Sequence, residues 1–144
     1  MRALESALKA AADPTRTRIL KLLEQRDLCV CQIQAILGLA ASTVSRHLAV
    51  LKAAGLAEDR REGKWIHYGL AVEKPNPHAG SVRRLLGGIL DRDPRIAADR
   101  RRLREVVRVP VAELCDLVPL PGPAAVPSRP PARRLAGRGR RPHV

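Results

Sequence analysis

Two cysteines one residue apart, in Leu28-Cys29-Val30-Cys31, stand a short way ahead of the run Ser42-Thr43-Val44-Ser45-Arg46-His47-Leu48. Thiolates are soft metal ligands and redox groups, while the second run carries the small hydroxyls and the guanidinium suited to reading DNA. A chemical sensor and a DNA-reading helix could share this segment. On a regular helix, residues two apart point about 200° away from each other. Cys29 and Cys31 therefore cannot clasp one ion on an intact helix, and ligation would have to unwind or distort its start.

The reading chemistry can be assigned by residue type. Arg46 suits a bidentate contact with a guanine edge, Ser42, Thr43 and Ser45 suit bases or phosphates, and His47 can donate to a phosphate. Arg60, Arg61 and Lys64 surround a turn and would meet the DNA backbone or minor groove. Singly, each side chain reads as an ordinary solvated charge or hydroxyl. Their combination and order point to DNA.

The elements that must position these groups follow from periodicity. Leu4, Ala7, Leu8 and Ala11 mark a first helix, and Asp13-Pro14 supplies an N-cap and a first-turn proline for a second, which runs to about Gln25. Cys29 to Leu37 is expected to be a short third helix ended by Gly38, and Ala41 to Ala54 a fourth with Val44, Leu48 and Leu51 on its packing stripe. Leu56 to Arg61, Glu62-Gly63 and Lys64 to Leu70 read as a hairpin. Beyond Pro75 and Pro77, Ser81 to Leu90 and Ile96 to Val107 have helical spacing. They read as one interrupted helix or two short ones, and Val111 to Val118 adds a last turn or two with Cys115. The fold class is mostly α with a small β-hairpin wing (α+β), a winged helix-turn-helix. Residues 1–75 form the DNA-binding domain, 76–118 a C-terminal helical segment for dimerisation, and 119–144 a basic Pro/Arg-rich disordered tail.

Charge agrees with this. Among 144 residues, 27 Lys and Arg face 14 Asp and Glu, a net +13 that suits a polyanionic partner. Six arginines and no acid lie in 121–144, so about half of the excess belongs to the tail. Arg strongly outnumbers Lys and Ala and Pro are abundant, which compositional drift towards GC-rich codons would also produce. Trp65 and Tyr68 are the only aromatics. The core must be built from Leu, Ile, Val and Ala, is small, and would gain from dimerisation. No apolar run has signal-peptide or membrane-span length, so a cytoplasmic location with no membrane partner is expected. In that reducing compartment a structural disulfide is not expected.

The two motifs above, with Leu51, Ala54-Gly55-Leu56 and Arg61-Glu62-Gly63-Lys64-Trp65-Ile66-His67-Tyr68, resemble the arsenic-responsive branch of the ArsR/SmtB repressors over roughly residues 4 to 70. The resemblance implies a homodimer paired through its first and last helices that binds double-stranded palindromic operator DNA and is released by its inducer. No cofactor is required. The implied inducer is As(III) or Sb(III), soft ions that favour thiolates in a three-coordinate pyramid. Cys29 and Cys31 would supply two ligands. Gln34 stands where well-known arsenic sensors of the family carry a third cysteine, which makes Cys115 the candidate third ligand, from the same or the other subunit. Cys115 also fits a small apolar patch with Leu114 and Leu117. Ala40-Ala41 replaces a frequent Ser-Gln, removing an N-cap worth about 1 kcal/mol. The family's other type of site, for zinc, finds little material, since only His78 lies near the C-terminal helices.

Two alternatives stay open: a repressor of the same fold responding to oxidation or a thiophilic metal, and a ligand-independent architectural DNA binder with passive cysteines. An enzyme is not expected, because there is no phosphate-binding glycine loop and no paired carboxylates, and Cys29 has no evident general base.

Overall fold

The computed structural model describes residues 1–117. The segment 119–144, expected above to be disordered, lies outside the described residues. The described elements are α1 (Arg2–Ala11), α2 (Pro14–Leu23), β1 (Leu28–Cys29), α3 (Val30–Leu37), α4 (Ala41–Ala53), β2 (Ala57–Glu62), β3 (Trp65–Leu70), α5 (Ala79–Leu90), α6 (Pro94–Val106) and α7 (Val111–Leu117).

Local chemistry sets most of the boundaries. The Asp13 carboxylate accepts from the Thr15 and Arg16 amides at 2.8 and 3.0 Å, with Pro14 at the first helical position of α2. Asp93-Pro94 repeats the device, accepting from Arg95 and Ile96, and so begins α6 as a separate helix rather than continuing α5. Gly38 ends α3 in the left-handed region at φ 68°, its N–H donating to the Gln34 carbonyl at 2.8 Å. From α3 to α4 the axis turns through 112°, within the range of a helix-turn-helix.

Two expectations require correction. The wing is not an isolated hairpin, because β1 joins it in a three-stranded antiparallel sheet of order β1-β3-β2, with Leu28 opposite Tyr68 and Cys29 opposite His67. In addition, α3 starts at Val30 and not at Cys29. A two-residue strand has too little length to show alternation, so its only signature is the pairing partner forty residues away.

The core is aliphatic. Ile19, Leu20, Leu22, Leu28, Ile33, Val44, Leu48 and Leu51 are fully buried, and each such side chain contributes about 1.5–3 kcal/mol by leaving water. The helices α6 and α7 extend this core through Ile96, Leu103, Val106 and Leu114 and lie against α2 and α3 of the same chain. A buried cation completes the packing: Lys21 donates to Glu24 and to Asp91, both at 2.7 Å. Burial alone would lower the Lys21 pKa, but the two carboxylates outweigh it and raise it. Among the described residues, no single helix is long and apolar enough to cross a membrane.

Candidate sensor and DNA-reading site

Cys29 is the N-cap of α3, in extended backbone at φ −84° and ψ 165°. Its N–H donates to the buried side-chain oxygen of Gln32 at 3.0 Å, and β1 pairing fixes it from the other side. Because Cys29 precedes the helix while Cys31 sits in its first turn, their side chains need not diverge as they would on one helix. The geometric reason for expecting the helix to unwind on ligation therefore does not apply, because Cys29 lies outside it. The sulfurs of Cys29, Cys31 and Cys115 already lie within 4.8 Å of one another.

Cys115 reaches this cluster from α7 of the same chain. Cys31 and Cys115 are joined as a disulfide across 84 residues, with Cα atoms 5.4 Å apart, contrary to the expectation of unpaired thiols. Cys29 is free and buried. The three cysteines form a group that could hold a metal ion, and among the described residues no histidine or carboxylate joins them. Three soft donors and no hard ones fit a thiophilic three-coordinate ion, provided the Cys31–Cys115 bond is reduced. Gln34 is buried.

On α4, Ser42, Ser45 and Arg46 are exposed, while Thr43 and His47 are half-buried. The N-cap position is Ala40, with no side-chain hydrogen bond to the first turn. His47 Nδ1 lies 3.4 Å from the Arg16 guanidinium and 4.0 Å from the Asp13 carboxylate. Burial first, then the Arg16 and Arg46 charges, lower the His47 pKa against the pull of Asp13. Asp13, Arg16 and Gln32 went unremarked as site residues in the sequence. The spacing Cys29-x-x-Gln32 of a capping box was the available signal for Gln32.

The basic residues of the wing differ in availability. Arg60 is held by Asp27 at 2.9 Å and Glu62 at 3.1 Å. Arg61 is exposed, and exposed Lys64 lies 5.2 Å from the centre of the Trp65 ring.

Comparison with known proteins agrees with this geometry. A family model described as bacterial regulatory protein, arsR family, matches residues 13–59. The arsenic resistance transcriptional regulator ArsR1 of Pseudomonas putida is 38% identical over 100 residues, covering 68% of this chain and 75% of that protein. The arsenical resistance operon repressor of Escherichia coli is 46% identical over 68 residues, covering 46% of this chain and 58% of that protein. Among solved structures, HlyU from Vibrio cholerae superimposes with a TM-score of 0.55 at 28% identity, covering 63% of this chain and 95% of its own. The matched family consists of DNA-binding transcription regulators and not of enzymes. With its helix-turn-helix, three-stranded wing and cysteine cluster, the chain belongs to the ArsR family.

Proposed function

We propose that this chain is a homodimeric repressor of a metalloid-resistance operon, working in the cytoplasm and released from its operator when As(III) or Sb(III) binds Cys29, Cys31 and Cys115. The observation that carries this reading is the three-sulfur cluster, free of hard donors, built onto the first helix of the helix-turn-helix. Ser42, Thr43, Ser45 and Arg46 read the major groove, His47 meets a phosphate, and Arg61 and Lys64 meet the backbone beside the wing, with Arg60 a lesser contributor because two carboxylates hold it. Of the first and last helices expected to pair the dimer, α1 keeps that role here and exposes Leu8. The last, α7, packs on α3 of its own chain, so the second pairing helix in this reading is α5, which exposes Leu85 and Ile89. The segment 1–75 then serves as the DNA-binding unit, and the C-terminal helices divide between pairing and completing the sensor.

Coupling from inducer to operator has two short routes. Cys29 is paired to His67 in the wing strand β3, and Cys31 belongs to the helix that packs on α4. Drawing three thiolates around one ion shifts both elements relative to the core, and a coupling of about 1–3 kcal/mol suffices for induction. A mobility-shift titration with reduced protein tests the reading. Arsenite should release the wild type, whereas Cys29→Ser and Cys31→Ser should bind operator and stay on it. Wild type remaining on DNA with arsenite would contradict it.

The Cys31–Cys115 disulfide favours a second reading, in which thiol oxidation is the signal. Release by an oxidant but not by arsenite would select it.

A further inference from the structure

We infer that the ion pair between Arg18 and Asp99 is the positioning device that holds Cys115 against the sensor cysteines. The inference rests on the metalloid reading for its functional meaning, while the geometry behind it stands apart from that reading.

Once the Cys31–Cys115 bond is reduced, the helix that carries Cys115 has little of its own to hold it on α3. Leu114 is the one buried side chain of α7, too little apolar surface to anchor seven residues on α3. Its location is inherited from α6. There Ile96, Asp99, Leu103 and Val106 form the buried face, at positions i, i+3, i+7 and i+10. Three of these are apolar and the fourth is a carboxylate at 6% exposure. Asp99 accepts from Arg18 Nε and Nη2 of α2, both at 2.8 Å.

Apolar burial is non-directional, and a helix held by it alone can slide or rotate over its neighbour. A two-pronged guanidinium–carboxylate contact fixes both rotation and register. The hydrogen bond to Asp99 also raises the Arg18 pKa against desolvation, so the guanidinium stays charged. On the other side, Arg102 of α6 donates to the Ala35 carbonyl of α3 at 3.0 Å, so that α6 is aligned between the two helices that flank the sensor. The chain leaving α6 then delivers Cys115 to Cys31. In the reduced chain the two sulfurs are linked only through 84 residues of chain, so how often they meet depends on how firmly α6 is docked. Loss of the pair leaves that docking to Ile96, Leu103, Val106 and the Arg102 contact.

Thiol–disulfide exchange reads this placement without any metalloid. Reduced full-length chain is equilibrated in glutathione buffers and its thiols are trapped and quantified by mass spectrometry. The Cys31 thiolate attacks oxidised glutathione, forming a mixed disulfide and releasing one glutathione thiolate. The Cys115 thiolate then attacks the Cys31 sulfur and expels the second, so two protein thiols are oxidised and one oxidised glutathione becomes two thiols that take up the protons. In Asp99→Asn the effective concentration of Cys115 at Cys31 should fall at least about tenfold, with operator affinity of the reduced protein within about twofold of wild type. Arg18→Gln is the second variant and should fall likewise. A wild-type effective concentration in either folded variant would overturn the inference, as would loss of operator binding in step with loss of the disulfide. Arsenite binding separates the two claims: the sulfur number around arsenic should drop from three to two in Asp99→Asn. If wild type binds no arsenite while the exchange equilibrium shifts as described, the metalloid reading fails and the positioning role stands.

Discussion

Cys115 lies beside Cys31 with Cα atoms 5.4 Å apart, although 84 residues of chain separate them. The third sulfur of the cluster thus comes from the end of the described chain, while the position one turn along α3 from Cys31 is held by Gln34, which offers no thiolate. The C-terminal helices in this way contribute one sulfur of the three-cysteine cluster as well as packing on α2 and α3.

Base reading and backbone contact should separate by residue. Arg46→Ala should cost about 1–3 kcal/mol of operator affinity and relax preference at one base position. Lys64→Ala should weaken all sequences alike and lower the salt slope by about 0.9. Arg60→Ala should change the slope less than Lys64→Ala, because Asp27 and Glu62 already engage the Arg60 guanidinium. Anisotropy titrations at several salt concentrations measure all three.

The start of α2 gives stability a definite pH dependence. Burial acts to raise the Asp13 carboxyl, but the Arg16 and Thr15 amides and the His47 and Arg16 charges outweigh it and hold its pKa below the ordinary 3.8. His47 lies below its ordinary 6.5 through burial first. Below pH 6.5 the unfolded chain takes up the histidine proton before the folded one does, and through the carboxylate range it takes up the Asp13 proton first as well. Both shifts therefore remove stability as pH falls. Urea unfolding between pH 8 and pH 5.5 should show the decline, and His47→Gln should flatten it. Asp13→Ala should cost about 1 kcal/mol at neutral pH through the lost cap.

Gly55 should resist substitution. It follows α4 at φ 70°, and a Cβ there would come within 2.8 Å of the Asn76 amide nitrogen, which itself donates to the Gly55 carbonyl. Gly55→Ala should destabilise the fold by about 1–3 kcal/mol in chemical denaturation, through strain and a contact with backbone that cannot swing aside.

The pairing surface is testable in the same simple way. Leu85 and Ile89 on α5 are 55% and 65% exposed, one helical turn apart, so Leu85→Asp with Ile89→Asp should give monomers in sedimentation while the α-helical signal persists. A variant that still sediments as a dimer would place the interface elsewhere.

Much of this was legible in the sequence because it is local. The Asp13-Pro14 cap, Gly38 after α3, and the stripe of Val44, Leu48 and Leu51 each announce themselves within one helix. What escaped depends on distant partners. Leu28–Cys29 is a strand only because Tyr68 and His67 lie opposite, and that pairing moved Cys29 out of the helix and removed the need to unwind it. Cys115 could be nominated from its residue type, but its place depends on the docking of α6, where the partner of Asp99 is Arg18, 81 residues earlier in the chain. Arg60 looked as free as Lys64 until Asp27 was found beside it.

The most direct measurement is the number of sulfur atoms around arsenic, from X-ray absorption of reduced protein loaded with one equivalent of arsenite. Wild type should show three sulfurs and Cys115→Ser two. Two in the wild type, or three in the variant, would contradict a site completed by Cys115.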